Sequence, residues 1–467
     1  MLPLALFVLA IIMRTGWVSR LNDDLRYLDE VEFNVIAMGL HHGQGYQSRS
    51  FRATPVLPVY LAAVYGFGGE NHALGRYGQA VLGALSCLLL YGIAARTIGR
   101  AGGLLAGFLL AVYPGHIYFS GVFYVECILI FFLCLSVYLG LVTMQRQRGN
   151  GWTGLLALLT GVSFGLTALA RPIFLLAIGC QCAAWLYHRS PPWRRRLGLA
   201  ALLIAGSAMT IGPWSYRNYL TYHRFILIST GLGTKLWQGN NELADGSAFD
   251  RELYWNEWDL GGWRQRLARL DPARSQEVQA KYAVIERQVE QRLEDLRRQG
   301  HGDDRELAAD GILAPVAIAW MKDNPLQAAG LFLKRWIPLY DAYSDTISRT
   351  AAISRGKRLV AAITFYPILL LAGAGFFIGL ACRRQLAMLY LLILTVSVAY
   401  CLLNTCTRFR LPLDAFLIVF ASMAIVWLWK FMVRRAHFDP THHRWWSPRI
   451  YRRPSPMAGV ASAPSPS

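Results

Sequence analysis

Apolar residues in this chain gather into runs of about twenty, and a helix of that length crosses about 30 Å of hydrocarbon. Runs at about 2–17, 74–95, 102–119, 122–143, 153–169, 172–187, 197–213, 358–381, 386–404 and 410–432 predict about ten transmembrane helices. The expected fold class is an all-α polytopic membrane protein with further helices at the extracytoplasmic surface. Arg14 interrupts the first run, which leaves two readings: a signal peptide or anchor, or a spanning helix whose arginine snorkels or faces the interior. No small-residue cleavage site follows, which favours a retained helix.

Composition sharpens the class. Charged residues are only 16% of the chain, against about 25% in soluble domains, so much of the chain does not face water. The net charge of +19 is unevenly spread: basic residues crowd the loops at 96–100, 146–148, 189–196 and 383–384 and the tail after 430. With about ten spans these all fall on one side, and the positive-inside rule makes that side cytoplasmic. The basic tail reads as a topology signal or a contact with anionic membrane lipids, not as a nucleic-acid site. The expected organisation is an N-terminal transmembrane module over 1–213 with an informative first outer loop at 19–72. An extracytoplasmic helical segment follows at 214–356, then C-terminal transmembrane helices at 357–433 and a basic, disordered cytoplasmic tail at 434–467. Within the outer segment, residues 275–300 carry opposite charges at i,i+4 spacing, the pattern of a solvated helix. Pro213 and the glycines at 231 and 233 mark the start of that segment. Cys180 and Cys182 lie inside a span and read as small packing residues. Cys401 and Cys406 lie near the outer surface without metal or redox spacing, where a local disulfide is conceivable.

The outer loops hold the residues that carry chemistry. The stretch 29–40 is rich in helix formers and is stopped by Gly43 and Gly45. It predicts a short amphipathic helix at the membrane surface with Asp29 and Glu30 at its start. Acids there are also mildly stabilising through the helix dipole alone. Glu126 stands at the mouth of a membrane helix, costly unless it is paired or faces a wet cavity. On the same side stand Arg76, Arg171, Arg217, Lys235, Arg408 and Arg410. Any one of these cations would be explained by snorkelling. Together they are harder to explain so, because the outer face normally carries few positive charges. Cations there suit an anionic lipid phosphate, and a carboxylate suits a general base acting on a hydroxyl.

At these residues the chain resembles the membrane glycosyltransferases of the GT-C class. It is most similar to the bacterial branch related to protein O-mannosyltransferases and the lipid A aminoarabinose transferase. The match runs through Asp29-Glu30-x-Glu32-Phe33 and Gly43-x-Gly45-Tyr46, with Phe33 where the family usually has Tyr. It continues through Pro55, Pro58 and Tyr60, Arg76, Tyr113-Pro114, Ser120 with Glu126, Ala170-Arg171-Pro172, Pro213-Trp214-x2-Arg217-Asn218, Gly239-Asn240-Asn241 and Arg408-x-Arg410-Leu411-Pro412. It covers roughly residues 20–430, and the order and spacing of the motifs carry the specificity rather than any one of them. The resemblance implies a sugar donor linked to a polyprenyl phosphate and a lipid, glycan or protein acceptor. It also implies a multi-pass protein of the plasma (inner) membrane with its active site facing the periplasm or cell exterior. Asp29 then matches the proposed base, with Glu30 orienting it or helping to bind substrate, and Glu126 near the same cavity. Arg217, Lys235, Arg408 and Arg410 would hold the lipid phosphate, with Arg76 and Arg171 as weaker candidates. The chain departs from larger relatives of the family, which carry a separate C-terminal globular domain; this leaves acceptor recognition open, with little expected outside the membrane except segment 214–356.

The implied reaction is a single displacement with inversion, in which cations stabilise the departing phosphate. It requires no cofactor, although Asp29, Glu30 and Glu126, with His41 and His42, leave a divalent metal open. The rival readings are a lipid or sugar transporter or flippase, which predicts internal repeats and broken helices near the midplane, and a non-catalytic scaffold. No repeat is evident, and the charges gather at one face.

Overall fold

The computed structural model describes residues 2–46, 54–146, 151–189, 191–246, 267, 270–299, 305–342 and 355–436. The expectations for the tail beyond 436 lie outside these residues. Every element among the described residues is helical. In chain order they are α1 (Leu2–Val18), α2 (Leu28–His41), α3 (Val56–Gly68), α4 (His72–Ile98), α5 (Arg100–Val112), α6 (Pro114–Phe119), α7 (Glu126–Gln145) and α8 (Gly151–Ala170). After a 3-10 turn at Pro172–Phe174 come α9 (Leu175–Tyr187), α10 (Trp193–Tyr222), α11 (Leu232–Gly239), α12 (Pro272–Arg298) and α13 (Arg305–Asp323). The last are α14 (Pro325–Lys334), α15 (Trp336–Tyr340), α16 (Arg355–Ile378), α17 (Ala387–Leu402) and α18 (Thr407–Ala436). Six of them, α4, α7, α8, α10, the α16 segment and α18, are long and apolar enough to cross a membrane. Five shorter apolar helices join them: α1, α3, α5, the α9 segment and α17. The chain is a multi-pass membrane protein, and about ten spans fit this inventory.

Two boundaries differ from expectation, both at prolines. The run 102–119 is not one helix. Pro114 has no N–H to give and disfavours helical backbone at Tyr113, so α5 stops at Val112 and a new short helix begins. The carbonyls this leaves at the end of α5 meet Arg14, which is buried and donates to Leu110 O at 3.2 Å and Ala111 O at 3.1 Å. A cation at a helix C-terminus also suits the helix dipole. Arg14 thus faces the interior rather than snorkelling. Pro213, in contrast, does not end its helix: α10 runs through it to Tyr222 and is closed by His223 in the left-handed region, φ 51°. Cys401 and Cys406 are free and buried, not bridged.

Small residues set the tightest helix contact. On α8, Gly161 and Gly165 are one turn apart, and α10 crosses them with Gly206. A Cβ on Gly161 would strike the backbone of Leu203, and one on Gly206 the carbonyl of Leu158. The close approach lets Ser207 Oγ donate to Gly161 O at 3.0 Å, the small-residue packing expected where lipid supplies no hydrophobic drive.

The segment that follows α10 makes a core of its own. On α12, Val278, Tyr282, Ile285, Val289, Leu293 and Leu296 repeat at helical spacing and are buried with Trp237 of α11 and Leu313 of α13. The helix expected from its charges is present, solvated on one face and apolar on the other. By compactness the chain divides into a unit at 1–426 and one at 427–467, whose described part is the last turns of α18.

Replacing Gly161 by leucine should separate α8 from α10 at a cost of about 1–3 kcal/mol. The expected result is a lower melting temperature of the purified protein in detergent. Unchanged melting would mean that the two helices do not cross there.

Candidate active site

Four turns bring their charged side chains to one place. Asp29 stands in the first turn of α2 and Glu126 opens α7; Arg408 stands in the first turn of α18. Arg171 lies between α8 and the 3-10 turn. Pro172 keeps it extended, φ −153° and ψ 113°, which ends α8 and turns the side chain inward. Arg408 Nη1 meets Asp29 Oδ2 at 3.1 Å, and its Nε meets Glu126 Oε1 at 3.2 Å. Arg171 Nη2 meets the same Glu126 oxygen at 2.5 Å. Arg408 also lies over the Tyr124 ring at 4.6 Å, and Arg171 over Phe409 at 5.1 Å. Tyr124 and Phe409 thus each lie against one of the two guanidiniums.

Exposure separates the roles. The Asp29 side chain is 41% exposed, whereas Glu126 is wholly buried. Asp29 is open to a substrate, and Glu126 is placed to hold two arginines. Glu126 Oε2 and Arg171 Nη1 are buried without a hydrogen-bond partner, an unusual condition for buried polar atoms. The electrostatics favour an anion. The N-terminal ends of α2, α7 and α18 come within side-chain reach of one another, and each such end carries about half a positive charge. Arg408 sits at the positive end of its own helix, an unfavourable place that the two acids offset.

The other candidates are spread elsewhere. Glu30 is buried and both its oxygens are engaged: Oε2 accepts from Arg26 N–H at 2.9 Å and Oε1 from Phe123 N–H at 2.9 Å. It ties the start of α2 to the turn before α7, so the helix-start reading describes Glu30 better than Asp29. Arg76 holds the carbonyls of Asn22 and Asp24 at 2.5 and 2.8 Å and borders a cavity of about 430 Å³ with Asp23, Glu70 and Asn71. Arg217 donates to Tyr46 O at 2.7 Å among the rings of Tyr46, Trp214 and Tyr222. Arg410 is buried on Asp414 at 2.8 Å and on the carbonyls of Leu339 and Asp341 at 3.0 and 2.7 Å. Lys235 lies half-buried on α11, whose main neighbour is α13. Of the six expected cations, the structure brings Arg408 to Asp29 and Glu126, and Arg171 to Glu126. Alternation along α18 turns Arg408 and Arg410 to different sides.

The side chains that leave a divalent metal open have other partners in this structure. Among the described residues no three His, Cys, Asp or Glu side chains gather as a metal would require. Glu30 is committed to backbone, His42 meets Glu70 at 3.0 Å, and the charge between Asp29 and Glu126 is that of Arg408.

Comparison with known proteins agrees with the fold. Residues 52–215 match the dolichyl-phosphate-mannose-protein mannosyltransferase family. The backbone resembles the archaeal oligosaccharyltransferase AglB from Archaeoglobus fulgidus, solved in complex with an inhibitory peptide and a dolichol-phosphate. The TM-score is 0.55 at 14% identity, over 93% of this chain and 51% of that one. The Archaeoglobus fulgidus oligosaccharyltransferase in complex with Zn and sulfate gives a TM-score of 0.55 at 15% identity, over 93% of this chain and 50% of that one. ArnT from Cupriavidus metallidurans, bound to undecaprenyl phosphate, gives 0.42 at 16% identity, over 91% of this chain and 76% of that one. The chain therefore spans about half the length of the oligosaccharyltransferase. No curated protein matches it in sequence. In fold the chain resembles the archaeal oligosaccharyltransferase. The chain's family-matching region, 52–215, contains Glu126 and Arg171, while Asp29 and Arg408 lie outside it on either side.

Replacing Glu126 by glutamine would leave two buried guanidiniums short of their shared counter-charge, which costs about 3–5 kcal/mol. The expected outcome is a marked fall in the melting temperature of the purified protein, larger than for Asp29→Asn, whose side chain is exposed. Equal shifts in the two variants would contradict the burial described here.

Proposed function

We propose that this protein transfers a sugar from a polyprenyl-phosphate-linked donor to a hydroxyl on a lipid, glycan or protein acceptor. The reaction takes place at the extracytoplasmic face of the plasma membrane. One observation carries the reading: a half-exposed carboxylate, Asp29, shares Arg408 with the buried Glu126, where three helix N-termini meet. The fold and the family match over 52–215 support it.

In this reading the acceptor hydroxyl gives its proton to Asp29 as its oxygen attacks the anomeric carbon. The bond from that carbon to the phosphate oxygen breaks, and the electron pair leaves with the polyprenyl phosphate. Attack opposite the leaving group inverts the anomeric centre. Arg408, assisted by Arg171, meets the charge that develops on the phosphate, and fixed charges in a water-poor pocket act strongly there. Glu126 acts through the two arginines. The donor phosphate competes with Asp29 for Arg408, so donor binding loosens the carboxylate for its work as base. Acceptor chemistry is left to the outer segment and the first outer loop.

Asp29→Asn should insert normally in the membrane but lose transfer by about 10²–10⁴-fold, the usual contribution of a general base. The check is mass spectrometry of envelope glycans and lipids in cells carrying either form, against cells lacking the gene. Glycans in the variant that match those of the unaltered protein would remove Asp29 from the mechanism.

A further inference from the structure

Arg335, between α14 and α15, is 2% exposed, and its partners are neutral. Its Nη1 donates to Cys401 O at 2.8 Å and to Leu402 O at 3.4 Å, and both terminal nitrogens reach Asn240 Oδ1 at 3.4 Å. Burial pushes its pKa down to about 10, so it is cationic at neutral pH but held so at a cost. These carbonyls close α17. Helix-end carbonyls need partners, and a cation suits that end of the dipole, yet an amide or water would suffice. A buried guanidinium is more than capping requires.

What it adds is a rigid fork with fixed directions. Asn240 Nδ2 binds Leu402 O at 2.8 Å, and Gly239 packs so close to Leu403 O that a Cβ there would collide. The Arg335 carbonyl accepts from Thr405 Oγ1 at 3.2 Å. The chain is thus held at 401, 402, 403 and 405, and α18 begins two residues later with Arg408 in its first turn. Tyr400, at the clamped end of α17, stacks on Phe409 at 4.8 Å and 18°.

We propose that Arg335 is a positioning residue for Arg408: by fixing the turn from α17 into α18 it sets the guanidinium between Asp29 and Glu126. The proposal rests on the transfer reading for its consequence in catalysis, but not for its geometry. A misplacement of about 1 Å can cost a reaction about 10²-fold.

The test uses the full chain in detergent or nanodiscs, with two readouts. In the first, disulfide formation is timed in the Asp29→Cys/Arg408→Cys pair, with and without Arg335→Lys, which keeps the charge but loses the fork. Positioning predicts at least a fivefold slower rate with Arg335→Lys. An unchanged rate overturns the proposal whether or not the protein is a transferase. In the second, turnover of a synthetic polyprenyl-phosphate-linked hexose is measured. Positioning predicts a kcat about ten- to a hundredfold lower in Arg335→Lys, donor KM within about threefold, and melting within a few degrees of the unaltered protein. A kcat that falls only in proportion to folded protein makes Arg335 a structural cap and overturns the proposal. A second variant, Asn240→Asp, gives Arg335 a counter-ion and so guards against misfolding, but sets a carboxylate against the Leu402 carbonyl. It should fold and lose kcat, and full activity there also counts against positioning. An unaltered protein that turns over no polyprenyl-linked sugar would fail the transfer reading alone, leaving the disulfide rates to decide this one.

Discussion

A single carboxylate with no exposure to solvent, Glu126, is shared by two guanidiniums, and the turns around it are arranged on that fact. An isolated buried carboxylate would cost many kilocalories, as would either arginine alone. Each group is tolerable only where the others are. The triad therefore constrains three backbones at once: the start of α7, the extended residue after α8 and the first turn of α18. Asp29 is the member that water reaches, and it inherits a fixed cation from the buried ones.

Helix terminations deliver these groups. Pro172 stops α8 one residue before Arg171 would have continued the helix, and Pro114 cuts a long apolar run so that the chain turns toward α7. In a bilayer, such breaks are allowed only where protein supplies new partners for the freed carbonyls. Arg14 does this for α5, Arg335 for α17 and Arg410 for α15. The interruptions that look like faults in a hydropathy profile are the places where polar chemistry enters the fold.

Much of this was legible in the chain. The spans follow from length and hydropathy, and α2 and α12 follow from composition and periodicity. The acids and cations were singled out by the positive-inside rule, because positive charge on the face that it makes extracytoplasmic needs a reason. The partner of each cation was hidden. Arg408 and Arg410 are two residues apart in one motif, yet one meets Asp29 and Glu126 and the other Asp414 and two carbonyls. Sequence spacing says they face different ways, but not which way the pocket lies. Glu30 was joined to Asp29 by adjacency, whereas a helix turns about 100° per residue and separates them. Arg335 carried no signal at all. It sits in a segment read as extracytoplasmic helices, and its worth depends on carbonyls about seventy residues later, which no local pattern encodes.

The buried arginines thus divide by what they hold, and the division bears on function. Arg14 and Arg335 hold helix-end carbonyls, and Arg410 holds carbonyls and a carboxylate buried with it. Such contacts give an incoming phosphate nothing to displace, since the carbonyls would be orphaned in a dry interior. Arg408 is different. Its partner Asp29 is open to water, so a phosphate that takes the guanidinium leaves the carboxylate solvated rather than stranded, and exchange costs little. Reversible binding of an anionic donor requires a cation held firmly from behind and loosely in front. Among the candidates read from the sequence, Arg408, with Glu126 behind and Asp29 before it, meets both conditions.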